Sequence, residues 1–201
     1  AFDGTSLFYL NGFGTNTLYQ IEPNTGAVIG STVIPRPTNH RYDGLAALNG
    51  LIYITDAAND DILVFDPALG GVGTVLDING VNPGTNLAGG IAGATNPDRL
   101  IATVANGRTI VEINPLTGQI VPLPDQSIGF SPTTASVGTY SGLGVVEDLL
   151  FLGSTRLSTG NALTVTSSLD IFDRAGVLQW TLTLPYGISA FGADDVGTLG
   201  L

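Results

Sequence analysis

One short turn is written four times in this chain: "IEPNTGAV" from Ile21, "FDPALGGV" from Phe65, "INPLTGQI" from Ile113 and a shortened "FDRAGV" from Phe172. In the three full copies Pro sits early, where its fixed φ suits a turn, and in all four Gly sits late, where φ turns positive. An alternating strand precedes each copy and another follows it: 17–21 and 27–34, 62–65 and 72–76, 109–113 and 119–121, 169–172 and 177–184. Short alternating runs joined in this way are β-hairpins. The turn recurs because the hairpin recurs.

Upstream of each hairpin lies a continuous apolar run, at 7–10, 51–54, 100–104 and 149–152. Such a run suits a strand buried on both faces. Ahead of it stands a strand of small residues, at 44–48, 90–94, 142–146 and 187–191, whose first glycines fall 46, 52 and 45 residues apart. Four strands in roughly 45–50 residues is the size of a propeller blade. The small-residue strand is then the innermost one. Gly or Ala at 44, 46, 47, 90, 92, 93, 142, 144 and 190 suits a crowded axis and favours a small ring.

The ends of the sequence complement each other. Ala1-Phe2-Asp3-Gly4 aligns with Ala190-Phe191-Gly192-Ala193, so the first unit lacks most of its inner strand and a spare copy, Gly187 to Phe191, stands at the far end. The expected fold is all-β, a small β-propeller of about four four-stranded blades. It spans 1–201 as a single domain, with the C-terminal strand completing the first blade and removing two exposed edges. The same arithmetic permits an open ring in which that strand completes a neighbouring molecule, giving a homo-oligomer or filament. It also permits a piece of a larger propeller.

The "DP-x-TG" hairpin with its preceding alternating strand resembles the repeats of the YVTN, NHL and quinoprotein-like propellers, over nearly the whole chain. That resemblance implies a blade and no particular activity, because the family includes enzymes, ligand binders and scaffolds. Its quinoprotein members carry a tryptophan per blade and metal ligands at the axis. Here Trp180 is the single tryptophan, which argues against a quinone cofactor.

Composition narrows the function. Charged residues make up 11% of the chain, against roughly 25% in typical soluble domains. All six basic residues are arginines, and the net charge of −11 opposes nucleic acid and anionic lipid. No apolar run reaches the roughly 18 residues that would span a bilayer. The Gly- and Thr-rich, Lys-free, acidic composition points to a secreted, extracellular or periplasmic bacterial protein, and a first residue other than Met points to a processed or trimmed form. With no cysteine, a disulfide framework is excluded.

On a propeller, ligands meet the face built from outer-to-inner loops and middle loops. The first outer loop, "PRPTNHRYD", concentrates Arg36, His40, Arg41 and Tyr42, which suit a carboxylate, a sulfate or a sugar acid. The alternative is that the arginines pair with acids such as Asp43 and pin the loop. Tyr140 and Tyr186, with Phe13 and Phe130, are candidates for stacking on sugars. His40 is the sole histidine, so a His-based triad or zinc site is nearly excluded. The loop "DAANDD" offers Asp56, Asn59, Asp60 and Asp61 as oxygen ligands of the kind calcium prefers, although the same residues are ordinary turn formers. Asp194 and Asp195 lack an identified partner for a carboxylate pair. "AGGIAGA" matches three other inner strands and opens no helix, so it is not a phosphate loop. The segment 154–168 is the least repeat-like, either a decoration or an extended hairpin.

The leading expectation is a secreted non-enzymatic propeller that binds a glycan or protein ligand, with no cofactor. Two alternatives stand beside it: a self-assembling extracellular structural subunit, and a calcium-dependent, lactonase-like hydrolase or lyase.

Overall fold

The computed structural model describes residues 1–12, 15–35, 39–105, 109–123, 129–131, 140–157, 165–184 and 192–193. Strands β1 (Leu7–Asn11), β2 (Thr17–Ile21) and β3 (Val28–Val33) form the first sheet. The second holds β4 (Tyr42–Leu48), β5 (Leu51–Asp56), β6 (Asp61–Asp66) and β7 (Gly71–Asp77). A short helix, α1 (Ile78–Val81), leads to the third: β8 (Leu87–Ala94), β9 (Arg99–Val104), β10 (Thr109–Ile113) and β11 (Ile120–Val121). The fourth holds β12 (Tyr140–Val146), β13 (Leu149–Leu157), β14 (Val165–Asp173), β15 (Leu178–Leu184) and a two-residue β16 (Gly192–Ala193). Within each sheet the strands follow chain order and are antiparallel, β16 excepted.

The repeated turn has one mechanism. Its first polar residue folds back onto the amides ahead of it: Glu22 onto Asn24 and Thr25, Asp66 onto Ala68 and Leu69, Asn114 onto Leu116 and Thr117, Asp173 onto Ala175 and Val177. Four glycines, Gly26, Gly70, Gly118 and Gly176, then take φ of 71°, 68°, 73° and 83°. A Cβ disfavours that region, so glycine is the residue that closes the turn.

Each sheet packs on the next. Phe8 and Leu18 of the first meet Ile52, Ile54, Leu63 and Phe65 of the second. Tyr53, Ile62 and Val64 on its other side meet Leu100, Val111 and Ile113 of the third. Ala92, Ile101 and Ile110 then meet Leu150, Leu152 and Phe172 of the fourth. The inner strands β4, β8 and β12 lie side by side. Their approach depends on missing side chains: a methyl at Gly44 would overlap the Gly89 carbonyl, and one at Gly93 the Ala47 carbonyl.

The structure departs from the expectations at the ends. Two-sided burial holds in β5 and β9 but fails in β1, where Leu7 and Tyr9 are exposed and no sheet among the described residues covers that face. The inner strand of the first sheet is reduced to Ala1 and Phe2: Phe8 N–H donates to the Ala1 carbonyl at 2.7 Å, and Phe2 bridges Leu7. Residues 187–191, expected to complete that sheet, lie outside the described residues. Gly192 and Ala193, which follow them, pair in parallel with Leu143 and Gly144 of β12, not with the first sheet. This covers an inner edge that would otherwise leave its amides unpaired.

Of the segment 154–168, the described residues at 154–157 and 165–168 continue the antiparallel pairing of β13 with β14, which runs from Leu149–Asp173 out to Leu157–Val165. Helix α1 carried no periodic signal, being four residues long. It forms because Asp77 accepts the Gly80 N–H at 2.6 Å as an N-cap. Just beyond it, the Asn82 side chain donates to the Gly118 carbonyl (2.8 Å) and accepts from Ile120 N–H (2.9 Å), tying the second unit to the third hairpin.

Candidate functional site

A cavity of about 350 Å³ lies where the inner strands begin, lined by residues from all four sheets. Ala1 and Phe8 to Leu10 stand on the first, Tyr42 to Leu45 on the second, Gly89 to Ile91 on the third, and Gly142 and Leu143 on the fourth. Gly44, Gly89, Gly90 and Gly142 bring no side chain to this wall. Its remaining lining is aliphatic and aromatic, with Phe8, Tyr9 and Tyr42 the rings, and it carries one carboxylate, Asp43.

Of the residues singled out in the first outer loop, the structure brings Tyr42 to the cavity. Its ring is buried and its hydroxyl donates to the Pro35 carbonyl at 2.6 Å. The His40 ring lies 4.7 Å from it, tilted by 50°, with Nε2 3.1 Å from Asn16 Nδ2. Arg41 turns its guanidinium onto Asp43, the pairing that pins the loop. Arg36 and Tyr186, with Phe13, Asp194 and Asp195, lie outside the described residues, as does the side chain of Tyr140.

Burial, then the Asp56 carboxylate, push the Tyr42 phenol up to about 12. A phenol whose folded value lies above the unfolded one favours folding fully below the unfolded value near pH 10. That contribution is lost as pH rises through about 12. Tyr42→Phe is expected to cost about 1 kcal/mol at neutral pH, for the lost hydrogen bond, and to shallow the alkaline loss of stability between pH 10 and 12. Urea unfolding at stepped pH checks both.

The acidic loop is built as a brace. Asp56 is 1% exposed, and its carboxylate accepts from Arg41 N–H (2.8 Å), Ala58 N–H (3.2 Å) and Asn59 Nδ2 (2.6 Å). Asp60 points elsewhere, accepting from Leu87 N–H at 2.7 Å and so fixing the start of β8. Asp56 and Asn59 thus brace their own loop while Asp60 holds the start of β8, and among the described residues no cluster of three or more His, Cys, Asp or Glu is placed to hold a metal.

Burial, then the charges of Asp77, Asp56 and Asp60, raise the Asp61 carboxyl above the ordinary aspartate range. A carboxyl raised on folding favours the folded state below its unfolded value, and that contribution is lost as pH rises through the folded value. Ionised Asp61 therefore opposes folding at neutral pH. Asp61→Asn is expected to raise Tm by a few degrees at pH 7, the gain vanishing below about pH 4. Differential scanning calorimetry at both pH values is the check.

Two residues that support the wall were not legible as such. Thr55 and Thr103 occupy equivalent positions in β5 and β9, and both are fully buried. Thr55 Oγ1 donates to the Gly89 carbonyl at 3.0 Å, and Thr103 Oγ1 both accepts from Gly90 N–H (3.0 Å) and donates to its carbonyl (3.3 Å). The available signal was a lone hydroxyl at the same place in two otherwise apolar runs.

No family model matches the sequence, and no curated protein does either. Among solved structures, hydrazine synthase of Kuenenia stuttgartiensis superposes with a TM-score of 0.57 at 15% identity, over 90% of this chain and 47% of that one. The chain thus spans about half the length of that relative, and a likeness at this identity shows the fold alone. That fold is propeller-type, and four successive antiparallel sheets fit it. Myxococcus xanthus glutaminyl cyclase gives 0.41 at 26% identity, over 52% of this chain and 49% of that one. The computationally designed Ika4 protein gives 0.45 at 12%, over 78% and 81%.

Proposed function

We propose that this chain is a non-enzymatic binding module of the propeller type, secreted or periplasmic, which takes a neutral, hydroxyl-rich ligand such as a sugar in the axial cavity. The observation that carries this reading is the cavity itself. Its volume of about 350 Å³ falls within the roughly 300–1,000 Å³ usual for small-ligand sites. Its lining sets aliphatic groups and the rings of Phe8, Tyr9 and Tyr42, suited to the C–H face of a sugar ring, beside backbone that four glycines leave uncovered. Asp43 adds an acceptor for paired hydroxyls. An anionic ligand is disfavoured, because Arg41 is already engaged by Asp43 and the net charge is −11.

The test is calorimetric titration with a panel of neutral mono- and oligosaccharides. Saturable binding is expected, weakened at least tenfold by Asp43→Asn and unchanged by Asp66→Asn in a distant hairpin turn. Absence of saturable binding across the panel, or equal affinity in the Asp43 variant, overturns the reading.

A further inference from the structure

The registers make every unit comparable with every other. Each sheet has a forward face, which packs on the next sheet, and a rear face, which receives the one before. Leu7 of the first sheet is equivalent to Ile52, Leu100 and Leu150, and Tyr9 to Ile54, Ala102 and Leu152. Those six equivalents are 0–2% exposed, whereas Leu7 is 41% and Tyr9 57% exposed. The rear face of the first sheet therefore carries the apolar residues of an inter-sheet contact, and among the described residues no sheet lies upon it.

The forward face of the fourth sheet mirrors this. Val146 is equivalent to Leu48 and Ala94, which are 3% and 0% exposed, yet Val146 is 45% exposed. Leu182 is equivalent to Leu76, 6% against 49%, and Trp180 beside it is 57% exposed. One face is of the receiving type and the other of the inserting type. Three successive contacts inside the chain already join such a pair.

We propose that the partner of these two faces is a second copy of this chain, docked head to tail, so that two chains close one ring through two equal contacts. A forward face meeting a rear face continues the contact the molecule has already made three times. Neither face presents a charged side chain at these positions, so each is suited to burial and costly to leave wet. The contact is heterologous, and pairing both ends of both copies closes it without leaving edges for further growth.

The experiment is light scattering on wild-type chain and on two variants, Tyr9→Glu, which blocks the rear face, and Trp180→Glu, which blocks the forward face. Wild type is expected at twice the mass of one chain, and each variant alone at the mass of one. Mixing the two variants restores one contact, between the intact forward face of the first and the intact rear face of the second, and gives a one-to-one dimer. Circular dichroism establishes that both variants fold, and Leu7→Glu with Leu182→Glu provides a second such pair. A wild-type monomer at every concentration, or a dimer indifferent to both substitutions, overturns the proposal. The readout is a mass and needs no ligand, and Leu7 and Leu182 do not line the cavity, so with that pair the sugar reading stands or falls separately.

Discussion

Gly93→Ala and Gly44→Ala are each expected to destabilise the protein by about 2–3 kcal/mol, the upper part of the usual range for overpacking. A methyl at Gly93 would overlap the Ala47 carbonyl and press on Leu48 Cβ at 3.2 Å. At Gly44 it would overlap the Gly89 carbonyl, with Thr55 Oγ1 at 2.9 Å and Ile91 Cγ2 at 3.0 Å. The colliding atoms are backbone at both sites, so relief requires two inner strands to separate. Alanine ordinarily favours a strand over glycine by about 0.5–1 kcal/mol, which offsets only part of the strain. Gly73→Ala in β7, where an added Cβ meets nothing within 4 Å, is the matched control and should be neutral or slightly stabilising. Equilibrium unfolding in urea measures all three.

The second large effect is expected at Glu112. Its Oε1 accepts from Arg174 Nε at 3.0 Å and Nη2 at 2.8 Å, and its Oε2 lies 3.7 Å from Arg99 Nε. The three side chains are 16–23% exposed. Arg174 belongs to the fourth hairpin turn and Glu112 to β10, so the pair clamps the third sheet to the fourth. Glu112→Ala leaves two guanidinium groups mostly out of water without a counter-charge. Removing one partner of a fully buried pair costs about 3–5 kcal/mol, and the residual exposure here lowers the expectation to about 2–3. Arg174→Ala should cost less, since Glu112 keeps Arg99. A double-mutant cycle on Glu112 and Arg174 isolates the coupling.

Local chemistry explains why much of this fold was legible. Hairpin turns are determined by a few adjacent residues, a carbonyl-bearing side chain and a late glycine, and all four formed where the repeated words stood. The apolar and small-residue runs likewise placed β5, β8, β9 and β12. What escaped depended on partners distant in sequence. Leu7 and Tyr9 carry the same pattern as Ile52 and Ile54, and what separates exposed from buried is that, among the described residues, no sheet covers the first pair. The reading of inner glycines as a crowded axis was half the picture. Gly44 and Gly93 are crowded, but Gly44 together with Gly89, Gly90 and Gly142 also opens a cavity wall. The acids of the Asp56 loop were legible as oxygen donors, but sequence could not say that amides of Arg41 and Leu87 would occupy them.

Inner strands meet backbone to backbone across sheet boundaries, and the fold depends on that approach. Nuclear Overhauser spectroscopy on labelled protein tests this most directly. Cross-peaks are predicted between Gly93 Hα and Leu48 Hβ, and between Gly44 Hα and the Ile91 γ2-methyl, pairs more than forty residues apart in sequence. Fully assigned spectra showing the hairpin contacts but neither of these two would contradict it.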